Sequence, residues 1–199
     1  MDQPTVDEAQ TSSPASAVKY TMDSRLSRFT VQAFAGGVLS ALGHSPVFAI
    51  RDFSGDIVLD SDSIEGSSMH LKIRADSLAV TSDTSDKDRR EIEKTMNAEV
   101  LESSRYPEII FDSRRISASA LGEGSYMASI QGDLTLHGVA QSVTIPARVL
   151  VTGDLLRASG SFSIKQTDYR IKLASVAGGV LKIKDELKFN FDMVARKEA

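Results

Sequence analysis

From Tyr126 to Val151 apolar and polar residues alternate through two long runs. Tyr126, Ala128, Ile130, Leu134 and Leu136 share one parity; beyond the stretch His137 to Ser142, Val143, Ile145, Ala147, Val149 and Val151 share another. Successive side chains of a strand point to opposite faces, so the pattern predicts a long hairpin with one apolar face. Nothing nearby has the period of a helix that could cover that face. A sheet without a helical layer buries its own face by closing into a barrel.

The same period runs through most of the chain. Strand-like segments are predicted at Val18 to Ser24, Arg28 to Ala35, Gly37 to Leu42, Val47 to Asp60 and Ser67 to Asp76, with turn residues between them. In the last of these, Met69, Leu71, Ile73 and Ala75 face one way against His70, Lys72 and Arg74. Val47 to Phe53 is apolar at both parities, so its inward face cannot be read. A further strand is predicted from Ile109 to Ile116, another from Leu155 to Lys165 with Ala158, Gly160, Phe162 and Ile164 on one face. A final strand sets Leu187, Phe189, Phe191 and Met193 against Lys188, Asn190 and Asp192. One segment has a helical period: it opens at Ser85, with Asp88 three residues on, and carries Ile92, Met96 and Val100. Its stripe is narrow, which suits a lid or plug near a barrel opening. The expected fold is therefore all-β, a small antiparallel barrel of about eight to ten strands with one short helix.

Composition adjusts this picture at the ends. Residues 1–17 are polar, acidic and rich in Ser, Thr and Pro, which predicts a disordered tail ahead of one domain over 18–196. The tail lacks the basic start and apolar stretch of a secretory signal. That predicts a cytoplasmic protein, or a periplasmic or secreted one whose signal has been removed. No apolar run is long enough to span a membrane. The 23 Lys plus Arg are interleaved with 27 Asp plus Glu, as in Asp86 to Glu91, a solvated surface that does not track phosphates, so nucleic acid is set aside. Lys182, Lys184 and Lys188 form a charged ladder better suited to solubility and edge protection than to lipid head groups.

Catalytic motifs are sparse. Cys is absent, and no Gly-x-Ser-x-Gly elbow, phosphate loop or His-Glu-x-x-His occurs. His44, His70 and His137 have no local metal-ligand spacing, so neither metal nor cofactor is expected. His44, in Leu42-Gly43-His44-Ser45-Pro46, is the one candidate base, with Ser45 beside it. His137 has outward parity and His70 lies on a wet face.

The question then becomes what fills the barrel. Eight strands enclose side chains or one small ligand. Ala128, Gly132, Ala147, Ala158 and Gly160 are small inward positions among Ile130, Leu134, Phe162 and Phe191. Such alternation serves a tapering filled core and also a cavity for hydrocarbon, and periodicity leaves both open.

Gly132-Asp133-Leu134-Thr135-Leu136-His137-Gly138-Val139, followed by Val143 to Val149, resembles the central hairpin of the YceI-like family of lipocalin-like, polyisoprenoid-binding barrels. Tyr20 to Asp23 with Ser27 and Phe29, Phe53-Ser54-Gly55 before Ile57, Arg105 to Ile109 before Phe111, Ile164, Asp168 and Tyr169, and Asp185 to Leu187 follow in the family's order. Three positions depart from it: Leu26 stands where many members have His, Gln166 where Arg is usual, and Arg170 where Gly usually follows. The resemblance implies a non-catalytic barrel enclosing a long isoprenoid or acyl chain. By parity, Phe29, Leu71, Ile73, Tyr126, Ile130, Leu134, Phe162, Phe189 and Phe191 would line it. The alternatives are a hydrolase using His44 and an interaction protein with a filled barrel. Strands running past closure leave room for a homodimer.

Overall fold

The structure is a computed structural model, which describes residues 17–36, 45–60, 64–173, 175–176 and 181–198. The chain runs through β1 (Ala17–Met22), β2 (Arg28–Gly36), β3 (Val47–Ile50), β4 (Phe53–Asp60), β5 (Ser68–Arg74) and β6 (Leu78–Val80). It then forms α1 (Asp86–Thr95) and a π-helical turn over Met96–Val100. After these come β7 (Glu108–Gly122), β8 (Ser125–Leu136), β9 (Val139–Thr152), β10 (Leu155–Lys165), β11 (Ser175–Val176) and β12 (Leu181–Lys197).

The antiparallel ladder runs β1-β4-β5-β7-β8-β9-β10-β12, and β12 returns to pair with β1 at Tyr20 opposite Lys197 and Met22 opposite Ala195. That pairing closes an eight-stranded barrel and removes the edges of the sheet at that seam. β2, β3 and β6 extend three of its staves: β2 continues β1 along β12, β3 pairs with β2, and β6 with β3. The neighbours in sequence are neighbours in space, an up-and-down order.

Each divided stave changes parity at its break. Tyr20 and Met22 are buried in β1, but Phe29, Val31 and Ala33 in β2; Phe48 and Ile50 in β3, but Phe53 and Ile57 in β4; Leu71 and Ile73 in β5, but Leu78 and Val80 in β6. The segment Val47 to Asp60 is therefore not the single strand predicted, and its apparently two-sided apolar pattern is two one-sided patterns joined out of phase at Arg51-Asp52. Side-chain and irregular backbone bonds repair these breaks. Ser27 Oγ accepts from Val194 N at 2.9 Å and donates to Val194 O at 3.1 Å, taking the place of a missing ladder pair. Ala75 N donates to Pro107 O at 2.8 Å at the third break.

The predicted strand from Ile109 to Ile116 is too short. β7 reaches Gly122 because its outer half, Ser117 to Gly122, pairs with β8 although it carries little apolar surface. A register shift between Ser113 and Arg115 moves its inward set from Ile109 and Phe111 to Ile116. The six-residue interruption predicted in the β8–β9 hairpin is really a two-residue turn, His137-Gly138, with φ +53° and +70°. Both values are positive, as a type I′ hairpin turn requires.

Ser85 caps α1 as expected, its Oγ accepting from Asp88 N at 3.1 Å. Glu93 fastens the helix to β6 by accepting from Val80 N at 2.8 Å. No residue of α1 itself is buried; Met96 in the π turn and Leu101 after it enter the core. The plug is thus the turn following the helix. The predicted tail, apart from Ala17, and the predicted strand Gly37 to Leu42 lie outside the described residues.

Candidate functional site

The inward side chains converge on an elongated cavity inside the barrel. Ile64, Tyr126 and Val151 touch it near one end, Leu101, Leu136 and Leu187 near the other. The nine predicted lining residues all border it. Leu71 and Ile73 of β5 and Tyr126, Ile130 and Leu134 of β8 form much of one side; Phe162 of β10, Phe189 and Phe191 of β12 and Phe29 of β2, which pairs with Phe191, form the other. Parity alone carried that assignment, because these strands keep one face turned inward over the stretches concerned.

The space open to the centre of a water-sized sphere is about 150 Å³, and the whole space between the lining atoms, mouths included, about 1470 Å³. An apolar cavity of about the smaller measure stays dry and accepts a benzene-sized group. Among the described residues no charged side chain borders the cavity, and the polar members are Thr30, Ser67, Asn190 and Tyr126. Ser67 Oγ is already occupied, accepting from Asp60 N at 3.0 Å. Such a lining offers a ligand dispersion contacts and release of water, with few fixed hydrogen-bond partners.

The small residues do not create this space in the way their volumes suggested. A Cβ on Gly132 would stand 2.7 Å from Phe111 Cζ, and one on Gly160 2.8 Å from Phe191 Cζ. Aromatic rings of adjacent strands already occupy the room these glycines leave. Ala128 and Ala158 do border the cavity, whereas Ala147, 2% exposed, is packed away from it. The interior is accordingly part filled and part hollow. Phe29 and Phe53 meet edge to face at 4.7 Å, while Phe162 stacks on Phe189 at 5.0 Å.

The histidines separate into different roles. His44 lies outside the described residues, and its neighbour Ser45 accepts a hydrogen bond from Ala35 N at 3.4 Å. His70 is exposed as expected, yet paired: its Nδ1 lies 2.6 Å from Asp112 Oδ1 across β5 and β7. His137 is not the outward residue its parity suggested. The positive φ of the turn rotates it inward, its side chain is 11% exposed, and its ring lies 4.5 Å from that of Tyr106. Nδ1 is 3.2 Å from Tyr169 O and Nε2 is 3.8 Å from Glu102. This cluster ties the β8–β9 turn to the segments before β7 and after β10. It is separate from the cavity lining. Among the described residues no group of three or more His, Asp or Glu is arranged to hold a metal.

Two of the three departures from the family pattern have visible consequences. Gln166, 3% exposed, donates from Nε2 to Lys184 O at 2.9 Å and so braces the segment after β10 against β12. Arg170 takes φ +58°, a left-handed conformation that glycine adopts without a Cβ clash. Leu26 is exposed in the turn between β1 and β2. Burial pushes the Tyr169 phenol up to about 12, with the neighbouring Asp168 adding to the shift, so this ring stays neutral at ordinary pH.

A family model described as the YceI-like domain matches residues 20–195. A UPF0312 protein of Pseudomonas putida strain W619 is 32% identical over 116 residues, covering 58% of this chain and 55% of that relative. The match therefore spans little more than half of the relative's length. Burkholderia cenocepacia BcnA superposes with a TM-score of 0.66 at 21% identity, covering 87% of this chain and 98% of that one. A polyisoprenoid binding domain from Saccharophagus degradans superposes with a TM-score of 0.64 at 13% identity, covering 91% and 99% respectively. At these identities the two structures share the barrel fold with this chain. The resemblance carried by the Gly132 to Val139 hairpin is borne out.

Proposed function

The chain belongs to the family of YceI-like domains, and we propose that its barrel binds a long-chain hydrophobic ligand, a polyisoprenoid or an acyl lipid, without catalysing its conversion. The observation that carries this reading is the elongated cavity, which no charged side chain borders among the described residues. A hydrocarbon transferred from water into such a lining gains about 0.8 kcal/mol per methylene. Affinity can therefore come from chain length alone, which accounts for a binding site without a polar motif. The fold shared with a polyisoprenoid binding domain supports the ligand class. The non-catalytic part of the reading is supported by Ser45 being engaged with backbone and by the lack of a charged group among the described residues of the lining.

Organic extraction of the purified protein followed by mass spectrometry tests the proposal, with a stoichiometric long-chain lipid as the expected result. Ile130→Trp and Leu134→Trp place an indole in the cavity and are expected to lower lipid content while circular dichroism stays that of a β-barrel. Protein that is reproducibly lipid-free and takes up no added polyprenyl lipid overturns the reading.

A further inference from the structure

We propose that the ligand enters and leaves the barrel sideways, through a slit between β9 and β10. The inference rests on the lipid-binding reading above and adds to it a route. β9 pairs with β8 along its whole length, from Leu136 opposite Val139 to Ser125 opposite Leu150. β10 pairs with β12 from Leu155 to Lys165. Between β9 and β10, however, the ladder covers only Thr152 opposite Leu155 to Arg148 opposite Ser159. Above Arg148 and Ser159 the two strands run on without pairing.

Pro146 supplies the cause. Val151 N–H donates to Gly124 O at 2.7 Å, on the β8 side of β9. Successive donors of a strand alternate sides, and the β8–β9 register has no shift. The donors of residues 150 and 148 therefore face β10, and the next would be that of Pro146, which has none. The ladder ends one step short of the proline. At the far end Gln141 Nε2 donates to Asp168 O at 2.9 Å and His137 contacts Tyr169 O, tying β9 again to the segment after β10. The slit lies between these ties. About three residues of strand, Val143 to Ile145, at about 3.4 Å each give it a length of about 10 Å.

Its surroundings suit passage of a hydrocarbon. Behind it Val143, Ile145, Phe162, Phe189 and Phe191 point inward yet stay half-buried, whereas Ile57, Leu71 and Phe111 across the barrel are buried. Beyond the contact of Pro146 O with Gly160, the lips Val143 to Ile145 and Phe162 to Ile164 opposite them contain no charged residue; Arg148 lies beyond one end and Lys165, opposite Ser142 by the same register, beyond the other. A chain sliding through desolvates no ion. Open strand edges are commonly guarded by Lys and other charges, and this one has Pro146 alone.

The absence of Cys from the chain makes the slit testable by cross-linking. Continuing the register from Arg148 and Ser159 places Thr144 opposite Ser163. The variant Thr144→Cys with Ser163→Cys, joined by a disulfide or by a short bis-maleimide, closes the slit; Arg148→Cys with Ser159→Cys joins strands that are already paired. Delipidated protein is mixed with deuterated farnesol, and loading is followed by native mass spectrometry. Bridging across the slit is expected to slow loading by about tenfold or more, a gating effect on entry alone, with the paired-strand control unchanged. Equal loading rates with and without the bridge overturn the route. Failure of the unbridged protein to load at all overturns the lipid-binding reading instead. Pro146→Thr, which restores the missing donor, is an independent arm: it is expected to slow loading and raise amide protection in β10, and unchanged loading with raised protection again overturns the route.

Discussion

The carbonyl of Pro146 lies against the α-carbon of Gly160, with the ring of Phe191 covering the same spot from inside the barrel. A methyl group added there would overlap the carbonyl and stand 2.8 Å from Phe191 Cζ. Gly160→Ala is therefore expected to force the two strands apart and to cost about 1–3 kcal/mol, the usual range for overpacking. A urea titration would show it as a lower midpoint; an unchanged midpoint would mean that the strands yield freely at this point.

Gly138 is another glycine at which a side chain is strained. It combines φ +70° with a Cβ position 2.5 Å from Tyr106 Cε1. Gly138→Ala is expected to lose about 1–3 kcal/mol from backbone strain, with more if Tyr106 cannot withdraw from His137. Thermal unfolding followed by circular dichroism measures the loss.

The opposite change is expected to help at Arg170. Its φ of +58° costs an L-residue about 1–2 kcal/mol, which glycine avoids at the expense of a more flexible unfolded chain. Arg170→Gly is expected to raise stability by about 0.5–1 kcal/mol. A higher urea midpoint with an unchanged slope is the signature; a lower midpoint would mean that the guanidinium makes a contact worth more than the strain.

The acid limb of stability should carry a contribution from Asp192. Arg157 donates to it from Nε at 2.8 Å and from Nη2 at 2.5 Å, holding its carboxyl below the usual range although partial burial pulls upward. A depressed carboxylate stabilises the fold above its unfolded pKa, about 3.9, and that contribution disappears as pH falls through the lower folded value. Asp192→Asn is expected to lower stability at neutral pH by less than about 1 kcal/mol, because the pair is well exposed, and to converge with the parent protein in strong acid. Urea midpoints measured from neutral pH to below pH 3 would show the two curves meeting.

Tyr169 acts at the other end of the scale. Its phenol, raised to about 12, favours the folded state below the unfolded value of about 10, and that contribution is lost as pH rises from there through 12. Phenolate absorbance during alkaline titration is expected to show a late step that Tyr169→Phe removes. Loss of an ordinary step at about 10 in Tyr169→Phe, in place of the late one, would mean that the ring is accessible.

The elements that were legible in the chain are those that keep one parity. β8, β10 and β12 carry an unbroken apolar face, so Ile130, Phe162 and Phe189 could be placed inside before any partner strand was known. The staves that change phase were not. Phe48 and Ile50 share a face with Phe53 and Ile57 only because the chain bends at Arg51-Asp52, and alternation carries no mark of a bend. The His137-Gly138 turn was hidden because His is not the usual first residue of such a turn, although Gly after it was a signal. Pro146 was the available sign of an open edge, lying within a run otherwise read as paired strand.

By itself the sequence determined that the fold would be a self-covering antiparallel sheet, that its face would be apolar and uncharged, and which family it resembles. These follow from periodicity and residue chemistry, which are local. Only the tertiary structure decided that β12 closes on β1, that Phe111 and Phe191 fill the spaces beside Gly132 and Gly160, and that the β9–β10 ladder ends at Arg148. Each of these depends on which residues of distant segments come to lie opposite one another. Register and barrel curvature set that, and neither is written in the alternation of a single strand.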